Sequence, residues 1–193
     1  MRSNAWKPRR ARRAVAAVVG SAVVLVGAGW SGGAAWGAVH NAGAKHHGKR
    51  AHGAAHKHHG PKLPVIGNAK NLHVEPVVHP SKGKPPKKLE VKNLVKGTGA
   101  IVTRSSTVHV VYVGANYRTG KDFTQATWAS KRATAFPLSG VVPGFAEGLV
   151  GMKVGGRREI VIPPRLGYGN HNYGPIKAGE TLVFVVDLKG VSG

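Results

Sequence analysis

Apolar and polar positions change rhythm several times along this chain, and each rhythm marks an element. Residues 14–29 are apolar or small throughout, with no charge. From 40 to 88 there is no period of either kind. At Leu89 the texture changes. Leu89, Val91, Leu94 and Val95 predict a first strand, stopped by Gly97-Thr98-Gly99. Residues 107–113 alternate, with Val108, Val110 and Tyr112 on one face and His109, Val111 and Val113 on the other, the period of a strand. Residues 114–120 predict a turn, and 124–134 a polar bulge. Residues 135–138 rejoin a sheet edge, where Pro137 is tolerated. Pro143 opens a short helix with Phe145, Leu149 and Met152 on one face, ended by Gly151 and Gly155-Gly156. Residues 158–162 alternate again until Pro163-Pro164. A long loop follows over 165–179. The last predicted strand, 181–188, turns Leu182, Phe184, Val186 and Leu188 inward. Four or five antiparallel strands and one helix make an α+β domain with the helix on one face of the sheet.

Charge divides the chain. The net charge is +22. Residues 1–88 carry +15 of it with Glu75 as their one acid, and residues 89–193 carry +7. The basic part therefore precedes the domain. Such a balance favours an anionic membrane or cell-wall surface as a partner. Nucleic acid is disfavoured, since the apolar run predicts export and no stacking motif accompanies the charge.

The chain reads as three parts. Residues 1–38 join six basic residues, the apolar run and a small-residue tail, which predicts a signal peptide or an N-terminal membrane anchor. Cleavage would follow Gly37; without it, the uncharged stretch is long enough to span a bilayer, which takes roughly 20 residues. The chain is expected to be exported in either case, secreted or anchored. Residues 39–88 predict a disordered linker rich in His, Lys and Pro, with too little apolar surface to offset ordering entropy. Residues 89–193 are the folded domain.

No cysteine is present, which excludes disulfides, thiolate catalysis and cysteine-held metals. The tract 40–62 holds seven histidines, among them His46, His47, His52, His56, His58 and His59. It has two readings: divalent-metal handling through imidazole, or a flexible tether that gains charge below about pH 6.5. No carboxylate or fixed spacing defines a metal site, and no cofactor is implied.

The ordered set VHVVYVG, GKDF, FPLSGVVPGFAEGLVGMKVGGRREIVIPPRLGYG and TLVFVVDLKGV resembles the FKBP-type peptidyl-prolyl cis-trans isomerases over residues 89–193, in an exported or membrane-anchored bacterial form. The resemblance implies a bent antiparallel sheet wrapped around one short helix. It also implies an apolar pocket with Tyr112, Phe123, Phe136, Val142, Phe145, Tyr168 and Phe184 as catalytic residues, and Val141, Ile176 and Thr124 as further substrate contacts. Phe145 stands where the family often has tryptophan. Thr124 stands where it usually has an acid, Thr134 where a further aromatic is common, and Lys177 where a proline is common. The implied partners are proline-containing polypeptides and macrolide inhibitors. The implied function is isomerisation of X–Pro bonds. The competing reading is a weakly active, chaperone-like module that holds proline-containing chains.

Overall fold

The computed structural model describes residues 62–124, 128 and 130–193. The apolar run, the seven histidines of the tract and the proposed cleavage point all lie outside these residues. Among the described residues, no helix is long and apolar enough to cross a membrane.

Among the described residues, seven strands and one α-helix follow one another: β1 (Ile66–Gly67), β2 (Val77–Val78), β3 (Glu90–Val95), β4 (Thr107–Asn116), β5 (Thr134–Pro137), α1 (Pro143–Leu149), β6 (Arg157–Ile162) and β7 (Leu182–Ser192). The last five strands form one antiparallel sheet in the order β3-β6-β7-β4-β5. β5 is the edge expected for a strand ending in proline. β4 extends three residues past Val113, because Gly114, Ala115 and Asn116 pair with Phe184, Val183 and Leu182. The predicted turn at 114–120 therefore begins later, where the Asn116 carboxamide oxygen accepts the Arg118 and Thr119 amides. β7 also runs on to Ser192, and its register with β4 shifts between His109 and Val110.

Helix α1 lies on one face of the sheet. Pro143 occupies its first turn, and Gly151 at φ 76° ends it, as expected for a residue in the left-handed region. Its seat depends on two glycines one turn apart. A Cβ on Gly144 would lie 2.4 Å from Ile162 Cγ2, and one on Gly148 would lie 2.5 Å from Ile160 Cγ2. Their bare backbone lets Phe145 and Leu149 sink to full burial beside Tyr112, Ile160 and Phe184. Beyond the helix, Arg158 Nη1 donates to the Gly148 and Val150 carbonyls, so a cation faces the negative end of the helix.

The opposite, outer face of the sheet requires a correction. The disordered linker expected over 39–88 is ordered over its described part. Residues 63–83 form a strap: β1 pairs with β2, and Leu63, Ile66 and Val78 pack on Val111, Val113, Val161, Val183 and Val185. The strap's own apolar set is small, as the sequence indicates. The sheet supplies the other half of the contact, and burying valines on both partners offsets the ordering cost. Directional bonds add to it. The Tyr117 hydroxyl donates to the Lys62 carbonyl at 2.7 Å, Ser81 N–H donates to the Tyr117 carbonyl, and Arg157 Nη1 donates to the Asn68 carbonyl at 2.7 Å. A half-buried β4 would alternate apolar and polar. The valines on both of its faces are the sequence trace of this second layer.

Candidate functional site

Four elements converge on one aromatic cluster. Tyr112 comes from β4, Phe136 from β5, Phe145 from α1 and Phe184 from β7. The Phe145 ring lies 5.1 Å from Phe184, 6.2 Å from Phe136 and 6.3 Å from Tyr112, each in an edge-to-face arrangement. Phe123 meets Phe184 edge-to-face at 5.7 Å. Such pairs are favoured because the positive ring edge meets the negative ring face. The rings present C–H edges and faces and few polar atoms, which suits an apolar five-membered ring. Phe145 is fully buried at the centre, as a floor should be, and Val141, Val142 and Ile176 are buried in the same cluster.

Tyr168 gives this apolar site its polar handle. Its ring stacks face to face on Tyr173, with centroids 4.6 Å apart and planes within 11°. Its hydroxyl is buried and, among the described residues, has no hydrogen-bond partner. Burial raises its pKa well above the ordinary tyrosine value, and Tyr173 and Tyr112 reinforce the shift. It is therefore neutral and keeps a proton to donate. An unpaired buried hydroxyl costs about 1–3 kcal/mol, recoverable when a carbonyl accepts its proton. Val142 is the N-cap of α1, and its carbonyl accepts the Phe145 and Ala146 amides. Its own N–H makes no backbone bond among the described residues.

Thr124 does not offer a spare hydroxyl. Its Oγ1 accepts the Gly114 amide at 3.0 Å and donates to Asp122 Oδ1 at 2.7 Å, while its amide donates to the same oxygen. The threonine shapes the rim from within. The acid sought after Phe123 stands immediately before it instead. Asp122 couples electrostatically to Tyr112, whose pKa is raised to about 12 by burial first and by this carboxylate second. Asp122 and Tyr173 are the two residues that sequence reasoning missed. A signal for Asp122 was present in GKDF, one position from where it was sought. None was present for Tyr173, which meets Tyr168 only because their loop folds back, with reciprocal backbone bonds between Tyr173 and Ile176.

Gly114 is where the backbone comes closest to the rings. A Cβ there would lie 2.6 Å from Phe123 Cε2, 2.7 Å from Thr124 Cγ2 and 2.9 Å from Phe184 Cε1. Gly114→Ala is expected to cost about 1–3 kcal/mol by overpacking. It should also lower turnover by displacing both rings, as read by urea unfolding and an X–Pro exchange assay on the same sample. An alanine variant with unchanged activity would mean that ring placement is not critical.

The FKBP-type peptidyl-prolyl cis-trans isomerase family matches residues 99–189. A probable FK506-binding protein of Corynebacterium glutamicum is 41% identical over 106 residues, 55% of this chain and 89% of the relative. An FK506-binding protein of Streptomyces anulatus is 42% identical over 113 residues, 56% of this chain and 90% of the relative. This chain belongs to the FKBP family. Among solved structures, FkpA from Escherichia coli superposes with a TM-score of 0.51 at 36% identity, covering 56% of this chain and 51% of FkpA. The expected bent sheet around a single helix is borne out, and so is the isomerase class. The strap precedes the span that the family matches.

Proposed function

We propose that this FKBP-type isomerase acts on exported polypeptides, accelerating X–Pro isomerisation with the aromatic cluster around Phe145 as its catalytic surface. The observation that carries the site assignment is the buried Tyr168 hydroxyl, without a partner among the described residues, on a ring that packs against the aromatic cluster and couples to Tyr112.

The chemistry asks little of the protein. Resonance holds the X–Pro amide planar behind a barrier of about 18–20 kcal/mol, and no bond has to break. Uncatalysed exchange takes tens to hundreds of seconds. Catalysis consists of binding the twisted amide better than the planar one. Twisting breaks the resonance and reduces the charge separation between oxygen and nitrogen, so an apolar enclosure disfavours the planar state more. The proline ring packs over Phe145 against Tyr112, Phe136 and Phe184. The Tyr168 hydroxyl and the Val142 N–H hold flanking carbonyls and fix the chain about the twisting bond. Phe123, Val141 and Ile176 close the rim. Asp122 holds Thr124 in place, and burial first and this carboxylate second raise the Tyr112 pKa. The same donors and rings suit the FK506-type macrolides that the family binds.

Tyr168→Phe tests the assignment. It removes only the orphaned oxygen, so stability should hold or rise. The kcat/KM on an X–Pro peptide should fall about 3–10-fold, the worth of one hydrogen bond. An unaltered kcat/KM would remove Tyr168 from the site.

Export and surface attachment are part of the same reading. They rest on the charged start, the apolar run and the basic arm of residues 1–61. Mass spectrometry of the mature N-terminus distinguishes a cleaved signal from an anchor. Sedimentation with anionic and neutral vesicles measures what the arm adds.

A further inference from the structure

β6 begins with two adjacent buried arginines, and their surroundings differ. Arg157 on the outer face has a carboxylate, with Asp187 bonded to Nε and Nη2. Arg158 on the helix side has none among the described residues. Only 7% of it is exposed, yet its partners are neutral: Nε donates to Asn93 Oδ1 at 2.7 Å, and Nη1 to the carbonyls of Gly148 and Val150 at 2.8 and 3.2 Å. Nη2 makes no hydrogen bond among the described residues and is not a buried orphan, so it opens to solvent. The acids next to it in sequence or space are committed elsewhere. Glu159 points to the outer face, Asp187 serves Arg157, and Glu147 lines a separate cleft along the exposed side of α1.

Arg158 forms one wall of a cleft between the end of β3 and the turn after α1. Lys96 and Lys153 line the same cleft, with Asn93, Gly97 and Gly151, and no acid does. Capping the helix accounts for Nη1 alone. It leaves unexplained why a buried cation goes without a counter-charge while two further cations gather beside it. Burying a charge is costly unless an opposite charge or hydrogen bonds compensate it, and like charges brought together add to that cost. Burial also holds the Arg158 pKa below the usual arginine value.

We infer that this cleft is an anion site for a phosphate group, with Arg158 Nη2 at its base and the Lys96 and Lys153 ammonium groups at its mouth. Three donors on separate elements call for several acceptor oxygens on one centre, which phosphate has and a carboxylate has only in part. None of the five rings lines the cleft; Met152, which does, packs in the same core below them, so the site is distinct from the isomerase centre. It puts anion recognition on the folded domain itself, in addition to the basic arm.

The test uses the full chain and inorganic phosphate at constant ionic strength, with chloride as the balancing anion. Backbone amide shifts of Gly97 and Gly151, and the Arg158 Nε–H resonance, are followed by NMR. Saturable shifts at millimolar phosphate are expected. The double variant Lys96→Gln, Lys153→Gln should weaken the affinity about tenfold. Both lysines are exposed and neither belongs to the ring cluster, so fold and X–Pro turnover should be unchanged. A second arm replaces free phosphate by vesicles of phosphatidylglycerol in phosphatidylcholine. A deficit of the variant there, beyond what the basic arm retains, identifies a lipid-borne phosphate, and a deficit with free phosphate alone identifies a soluble ligand. Shifts that rise linearly without saturation, or that are the same in the double variant, overturn the site.

Discussion

Replacing Arg157 with alanine should lower the stability of the fold by about 3–5 kcal/mol, the usual cost of removing one partner of a buried charge pair. Arg157 is fully buried, and every part of its guanidinium is used. Nε and Nη2 hold the two oxygens of Asp187 on β7. Nη1 and Nη2 also hold the Asn68 and Val74 carbonyls of the strap. The Trp128 ring lies 5.0 Å from its Cζ, within cation–π range. One side chain therefore joins the sheet, the strap and the segment between Phe123 and Phe136. Its loss leaves Asp187, 1% exposed, with Lys189 at 3.5 Å as its remaining cation, and Lys189 is 43% exposed. Urea unfolding should show the loss, with Tm lower by about 10 °C or more. Limited proteolysis should cut within residues 63–83 before the sheet. Arg157→Met combined with Asp187→Leu should recover much of the stability, because neither charge of the pair is then left buried without its partner, but not the strap's two carbonyl bonds. A single alanine variant losing under 1 kcal/mol would show that the strap and sheet do not depend on this hub.

The second large effect is a stability that falls as pH rises. Glu159 faces outward from β6 between Arg157 and Val161. Its cross-strand neighbours are Lys92 on β3 and Val185 on β7. It is 1% exposed, and neither carboxylate oxygen has a hydrogen-bond partner among the described residues. Burial moves its pKa from 4.5 up to about 7, against the pull of Lys92. Arg157 relieves it little, since that guanidinium is engaged by Asp187 and the strap carbonyls. The folded-state value lies above the unfolded one, so between pH 4.5 and 7 the native state binds the extra proton. The stabilisation is complete below pH 4.5 and is lost as pH rises through 7, about 3 kcal/mol in all. Glu159→Gln keeps the shape of the protonated acid and cannot ionise. It should match the parent at pH 4.5 and exceed it at pH 8, as read by urea midpoints at the two pH values. Parallel stability curves for parent and variant would refute a strained carboxyl at this position.

Both effects centre on the outer face of the sheet, which was the part least legible in the sequence. The period of residues 107–113 identified β4. The spacing of Phe145, Leu149 and Met152 identified the buried face of α1, and Leu182, Phe184, Val186 and Leu188 fell inward as read. These positions are legible because a strand or helix repeats its geometry along the chain, so burial on one side leaves a periodic mark. The resemblance placed Tyr112, Phe136, Phe145 and Phe184 together, and in the structure Tyr112 and Phe145 each lie within 5.1–6.3 Å of the other three rings. The strap has no such period. Its apolar residues are few and irregularly spaced, and they hold to the domain because a complementary valine surface lies across from them. Asp122 and Thr124 differ by two positions in sequence and exchange roles at the rim, which loop geometry determines and composition does not.

By itself, the sequence determined the order of the elements, the single short helix and its seat, the absence of sulfur chemistry, and the family and its isomerase class. Each of these follows from local periodicity, residue type or an ordered motif. Only the tertiary structure decided that residues 63–83 belong to the fold, that Arg157 is its junction and that, among the described residues, Glu159 and Tyr168 carry unpartnered oxygens and Arg158 has no counter-charge. The reason is physical. Whether a charge or hydroxyl is satisfied depends on groups brought close from distant parts of the chain, and burial makes that pairing count in energy.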